Sequence, residues 1–169
     1  MSSVAASPAF TAHLLRQYEI PRRMIAAMAD DFSDEQATAR AGNQKPLVWY
    51  LGHVAVTDNY FLRLYGEGGS ALSDEHISRF GRGSDGHADF SDASKADMLA
   101  LFETLGKRVR ATISALDAAD LERETSEEVL HPVFKTLGSA LALVVAHAGY
   151  HAGQIGDLRR EMGKDPLFG

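Results

Sequence analysis

Apolar residues recur at helical spacing in four long stretches, and this periodicity limits the fold more than any other feature of the chain. The first stretch begins at Ser7-Pro8, where a serine cap precedes a first-turn proline, and runs to about Asp30. The others run over residues 45–65, 91–116 and 136–163. Pro21 predicts a kink or a break in the first helix, because proline removes a helical hydrogen bond.

Two short acidic segments are predicted to be turns that connect consecutive helices. Residues 33–36 have the pattern of a capping box, and residues 117–124 form a similar turn between the third and fourth helices. This weak repeat predicts two helical hairpins and therefore an all-α four-helix bundle. Residues 66–90, between helices 2 and 3, predict a long glycine-rich loop of the kind that often walls a site. Residues 128–133 are compatible with extended backbone, and no strand hairpin is predicted.

Length and composition indicate one globular domain, which we expect to span residues 1–169. The net charge is -6 and the basic residues are scattered, so nucleic-acid binding, which usually needs a basic face, is not expected. Residues 1–10 lack the pattern of a signal peptide, and the longest apolar run is too short to span a membrane. We therefore expect a cytoplasmic protein that does not bind membranes.

Three histidines are predicted to face the interior of the bundle. His147 and His151 are four residues apart and share one face of the fourth helix with apolar neighbours. His53 falls on the apolar stripe of the second helix. Bundles build metal sites from side chains on facing helices, and one helix can supply two imidazoles at this spacing. We predict that His53, His147 and His151 hold one divalent metal ion.

The absence of cysteine and of suitably placed glutamates limits the types of metal site that the chain can form. The chain has no cysteine, so it offers neither thiolate ligands nor a thiol nucleophile. Ala148 and Gly149 follow His147, so the glutamate base of helical zinc proteases is absent. Neither His53 nor His147 follows a glutamate by three residues, which disfavours a carboxylate di-iron centre. A mononuclear site of zinc, nickel or iron is expected, since imidazole suits all three.

Neighbouring side chains are candidates for supporting roles. Gln154 could orient a ligand or a water molecule, or could be a solvated amide at the helix edge. Asp58 lies away from the His53 face, which favours an ion pair with an arginine over metal ligation. Four further residues could flank His53 or wall a pocket: Trp49, Tyr50, Thr57 and Tyr60. For Tyr60, packing in the core is the preferred interpretation.

Four segments together resemble the DinB/YfiT-like superfamily of metalloenzymes, in the right order over nearly the whole chain. They are WYLGHVAVTDNYFL with His53, FGRGSDG, HAGYHAGQIGDLRR with His147 and His151, and the closing GKDPLF. The resemblance implies a four-helix bundle, often dimeric, in which these three histidines are the metal ligands. Characterised relatives include transferases and isomerases that use low-molecular-weight thiols, alongside candidate metal-dependent hydrolases.

The resemblance leads us to expect a metal-dependent enzyme, either a thiol-dependent transferase or a hydrolase of a small molecule, acting as a homodimer. A bound divalent ion would lower the pKa of a thiol or water beside it. Because no general base is identifiable, a non-catalytic, stress-related metal-binding bundle stays open as an alternative. A second alternative is a structural dimer in which the histidines are hydrogen-bonded core residues.

Overall fold

The computed structural model describes residues 8–67, 71–126, 129 and 131–168, and most of these residues are helical. The α-helices are α1 (Pro8–Asp30), α2 (Asp34–Thr38), α3 (Leu47–Tyr65), α4 (Asp74–Phe80), α5 (Lys95–Ala115) and α6 (Leu137–Glu161). Two 3₁₀ turns, Asp120–Glu122 and Pro132–Phe134, lie between α5 and α6. The described residues contain no β-strand, only an isolated bridge between Glu124 and Thr136.

The four long helices form the predicted bundle, although helices that follow one another in the chain are not always neighbours. α3 packs against α5 and α6, and α1 packs against the same two helices. α1 and α3 therefore lie across a diagonal of the bundle. This arrangement brings α3 and α6, which carry the three histidines, side by side.

The helices depart from the predicted ones at Pro21 and at the start of α5. α1 continues through Pro21, so the predicted break is absent. Pro21 is buried, and the packing around it offsets the single hydrogen bond that proline removes. α5 begins at Lys95 instead of Ser91, because the Ser94 side chain accepts a hydrogen bond from the Asp97 amide and caps the helix. The predicted cap at Ser7 lies outside the described residues.

The connection between α3 and α5 is not the unbroken loop that its glycines suggested. It contains α4, whose first turn is capped by Ser73 and carries Asp74 and Glu75. The extended backbone predicted for residues 128–133 is wrong at its described end, where residues 132–134 form a 3₁₀ turn that begins at a proline. Residues 128 and 130 lie outside the described part.

The capping box predicted at Ser33 forms, and Thr136 and Ser139 form a second one at the start of α6 that was not predicted. The apolar core between the helices consists of two clusters. The cluster next to the three histidines includes Trp49, Tyr50, Phe80, Ala148 and Ala152. Among the described helices, none combines the length and the apolar character needed to cross a membrane.

Candidate metal centre

His53 on α3 and His147 and His151 on α6 meet where the two helices pack. The Nε2 atom of His147 lies 3.2 Å from Nε2 of His53 and 3.1 Å from Nε2 of His151. A tetrahedral ion bound at about 2.0–2.1 Å separates two of its nitrogen ligands by roughly 3.3 Å. Two nitrogen pairs of the histidine cluster (His53, His147 and His151) therefore lie close to the spacing that a single ion needs, and all three residues offer ligand atoms within 4.8 Å of one another.

Hydrogen bonds at the Nδ1 atoms of His53 and His151 fix the orientation of these two rings. Nδ1 of His53 donates to the carbonyl oxygen of Phe80 at 2.5 Å, and Nδ1 of His151 donates to Oε1 of Gln154 at 2.7 Å. Since each Nδ1 carries the proton, each Nε2 presents a lone pair to the centre. The Gln154 amide is itself oriented, because its Nε2 donates to the Tyr150 hydroxyl at 3.1 Å. Nδ1 of His147 is buried without a partner.

A glycine on α3 allows this arrangement at His53. A Cβ atom at Gly52 would lie 2.5 Å from the ring of Phe80, so only glycine lets the end of α4 approach α3 this closely. The approach brings the Phe80 carbonyl oxygen within reach of His53. On the other side Trp49, one turn earlier, stacks on His53 with ring centroids 4.4 Å apart and an interplanar angle of 15°.

Burial keeps the three imidazoles neutral at neutral pH. Desolvation is the largest cause in each case; it lowers the pKa of His53, of His147 to about 3 and of His151 to about 4. Repulsion between the rings lowers the last two pKa values further. The neutral form is the one that binds a metal ion, so the cluster is ready to act as a ligand set near pH 7.

Two adjoining cavities open at the histidine cluster. The smaller, the polar cavity, has a volume of about 350 Å³ and is lined by all three histidines. The larger, the apolar cavity, has a volume of about 1210 Å³ and shares His53, His147 and residues 81–84 with the first. The polar cavity is further lined by Lys45, Trp49, Tyr150 and Gln154.

The residues predicted to support the site lie in different positions around it. Gln154 fixes His151 and is not merely a solvated amide. Trp49 lines the polar cavity, whereas Thr57 and Tyr60 line the apolar one. Tyr50 does not line either cavity; it packs behind His151, with ring centroids 5.7 Å apart.

Asp58 forms the predicted ion pair with an arginine, Arg22, and takes no part in the histidine cluster.

Sequence reasoning missed the other walls of the site. Lys45, Arg82 and Ser84 all line the polar cavity. Ser84 is held there by Trp49, whose Nε1 donates to its hydroxyl at 3.1 Å. The FGRGSDG segment lies in the glycine-rich stretch that was predicted to form a wall of the site. The positions of its side chains depend on the contact between α4 and Gly52, and residue spacing alone does not reveal this contact.

Comparison with known proteins agrees with this architecture. The model of the DinB superfamily matches residues 17–155, a range that contains all three histidines. Among solved structures the chain is similar to YfiT from Bacillus subtilis, with a TM-score of 0.65 and 21 % sequence identity over 98 % of this chain and 94 % of that one. That protein is described as a probable metal-dependent hydrolase with an unusual four-helix bundle topology. No curated protein matches the chain significantly.

Proposed function

The chain belongs to the DinB superfamily, and from this premise we propose that it is an enzyme that holds one divalent metal ion through His53, His147 and His151. One observation carries the proposal. Nε2 of His147 lies within 3.2 Å of the Nε2 atoms of both His53 and His151, and the rings of His53 and His151 are fixed by hydrogen bonds at Nδ1. Such outer partners are typical of imidazoles that bind metals.

A purely structural role explains the histidine cluster less well. His53 and His151 use their single ring protons at Nδ1, so only His147 can carry a proton at Nε2. That one proton cannot fully satisfy two acceptors. One divalent ion would satisfy three lone pairs at once.

Three neutral ligands would leave the full positive charge of the ion available to a reacting molecule. When bound, the ion would supply Lewis-acid chemistry and lower the pKa of a thiol or water beside it. None of the described residues that line the polar cavity is a carboxylate that could act as a general base. A free thiol, with a pKa of about 8.5, needs less help to ionise than water does.

We therefore propose transfer involving a low-molecular-weight thiol as the leading reaction: the thiol loses its proton, its sulfur bonds to the electrophilic carbon, and the leaving group departs with its electron pair. Hydrolysis of a small molecule is the second candidate. The observation in its favour is the similarity to YfiT, which is described as a probable metal-dependent hydrolase.

A paired screen separates these reactions. Protein loaded with zinc, nickel or ferrous iron is mixed with electrophiles, with and without low-molecular-weight thiols, and with esters. Turnover that requires a thiol supports the transferase, and turnover of esters without a thiol supports the hydrolase. His53→Ala should abolish either activity, whereas His87→Ala, a change in an exposed histidine outside the cluster, should not. Metal-loaded protein without turnover on any substrate would contradict the enzymatic proposal and favour a metal-binding bundle.

The predicted homodimer is also proposed, on the resemblance to the family. Light scattering on purified protein tests it, because a dimer has twice the 18.3 kDa mass of the chain. A mass of one chain at micromolar concentration would contradict it. The cytoplasmic location stays a prediction.

A further inference from the structure

The walls of both cavities are free of acidic residues among those that the structure describes. The chain contains 23 aspartates and glutamates and has a net charge of -6, yet none of the acids in the described part of the chain lines either cavity. The cations Lys45 and Arg82 do line the polar cavity. The site is therefore a region of positive charge on an acidic protein, and such a region attracts anions.

Among the residues that the structure describes, no carboxylate forms a salt bridge with Lys45. Its Nζ atom lies 3.5 Å from the centroid of the Trp49 ring. Its aliphatic stem packs against Gly86, so closely that a Cβ atom added to this glycine would lie 2.3 Å from Cδ of Lys45. Partial burial is the larger effect on the pKa of Lys45 and lowers it, while the nearby charge of Asp85 offsets part of that shift. Its charge is available to a ligand in the polar cavity.

Arg82 offers a second cation at the junction of the two cavities. It lines both of them and is exposed. Within the described part of the chain its guanidinium has no ion pair. Gly83, which follows it, has a φ of 81°, a left-handed conformation that favours glycine and turns the segment past the histidines.

The larger cavity has a different character. Its walls include six apolar or aromatic side chains: Val56, Tyr60, Ile77, Val133, Phe134 and Leu143. It meets the polar cavity along His53, His147 and residues 81–84. Arg63 and Arg82 also line this cavity. A molecule that reaches across the histidine cluster would therefore place one end beside Lys45 and Arg82 and its body beside the apolar side chains of the larger cavity.

We propose that this site selects a small organic acid: a substrate whose carboxylate lies in the polar cavity beside Lys45 and Arg82 and whose apolar body lies in the apolar cavity. The inference rests on the proposed function, because a divalent ion held by three neutral histidines adds to the same positive potential. It goes further by assigning the charge and the shape of the substrate.

Matched eight-carbon probes test the charge preference. Octanoate, octanol and octylamine are titrated into metal-loaded protein, and the fluorescence of Trp49, the single tryptophan of the chain, reports binding beside His53. We expect octanoate to bind at least about tenfold more tightly than either other probe. Calorimetry repeats each titration, because changes at Lys45 also alter the surroundings of Trp49.

Variants test the two cations. Lys45→Gln should weaken octanoate about tenfold and Arg82→Gln, at a more exposed position, about threefold, while octanol binding stays unchanged. Arg40→Gln, an exposed arginine that lines neither cavity, should leave all three probes unaffected. Equal affinity for octanoate and octanol, or octanoate binding that neither Lys45→Gln nor Arg82→Gln weakens, would overturn the proposal.

The same titrations on chelator-treated protein separate this inference from the proposed function. If the protein binds no metal, the proposed function fails. The octanoate preference and its dependence on Lys45 and Arg82 would then still support the anion site, and their absence would overturn it.

Discussion

Two polar clusters, one buried and one partly exposed, lie on different faces of α3, and they differ in how far their own atoms satisfy one another. In the Asp58 cluster (Tyr18, Arg22 and Asp58), the carboxylate accepts hydrogen bonds from the Tyr18 hydroxyl at 3.0 Å and from the Arg22 guanidinium. Arg22 also donates to the backbone carbonyl of Phe102 and lies 3.6 Å from the centroid of its ring. Opposite charges are paired there, although Nε of Arg22 lacks a partner.

The histidine cluster has the opposite character. Its rings are neutral, and Nε2 lone pairs of two of them face a third ring that can offer at most one proton. The Asp58 cluster opens to neither cavity, whereas the histidine cluster opens to both. The self-contained Asp58 cluster joins two helices, α1 and α3, across the diagonal of the bundle. For the convergent histidine cluster, which lacks a cation of its own, we propose instead that it serves a ligand.

The largest expected effect tests the structural half of this comparison. Asp58→Ala leaves the Arg22 charge buried without its partner, which should reduce the free energy of unfolding by about 3–5 kcal/mol. In metal-free protein His147→Ala should cost about 1 kcal/mol or less, because it also relieves the crowding of the Nε2 atoms. Urea unfolding of both variants measures the contrast. Equal losses would show that both clusters are structural.

Metal addition tests the functional half. An ion at 100 times its dissociation constant should raise the free energy of unfolding of the metal-free protein by about 2.7 kcal/mol, since only the folded chain brings the three histidines together. His147→Ala should lose this gain. Thermal unfolding with and without zinc or nickel provides the measurement, and an equal gain in the variant would place the metal elsewhere.

A pair of glycines sharpens the comparison. A Cβ atom at Gly52 would strike the Phe80 ring beside His53, and one at Gly106 would lie 2.5 Å from the Arg22 guanidinium. Each alanine substitution should cost about 1–3 kcal/mol of stability through overpacking. Only Gly52→Ala should also weaken metal binding, because it moves the carbonyl that fixes His53. Competitive metal titration distinguishes them, and equal metal affinities would contradict the role given to Phe80.

The smallest expected effect concerns Gln154. Gln154→Leu removes the acceptor that orients His151, so metal affinity should fall about tenfold while the stability of the metal-free protein changes by less than about 0.5 kcal/mol. Gln36→Leu, a change in the capping box of α2, should have the opposite effect: it should lower the stability of the protein and leave the metal affinity unchanged. Unaltered affinity in Gln154→Leu would mean that its bond to His151 does not position a ligand.

Much of this molecule follows from local pattern, and the remainder depends on contacts distant in sequence. Helical periodicity predicted the four long helices and the inward direction of the three histidines, because both depend on spacing within one helix. The same reasoning predicted that Asp58 would pair with an arginine, but it could not identify Arg22, which lies 36 residues away.

The cavity walls were the hardest part to predict. Lys45 reaches the site by lying over Trp49, and Arg82 reaches it because Gly52 admits α4. Glycines in residues 66–90 suggested a loop and hid α4, although Ser73-Asp74-Glu75 is a helix start. Tyr50 was expected at a pocket wall, yet its hydroxyl is engaged with Gln44 and the Lys45 amide behind the site.

The metal content of untagged protein tests the central claim most directly. After loading and desalting, elemental analysis should find one divalent ion per chain in the unaltered protein and in His87→Ala, and less than about a tenth of an ion in His53→Ala. Circular dichroism confirms that the variants remain folded. An unloaded wild-type protein, or a His53→Ala variant that retains its full complement of metal, would contradict the assignment of the histidine cluster as a metal site.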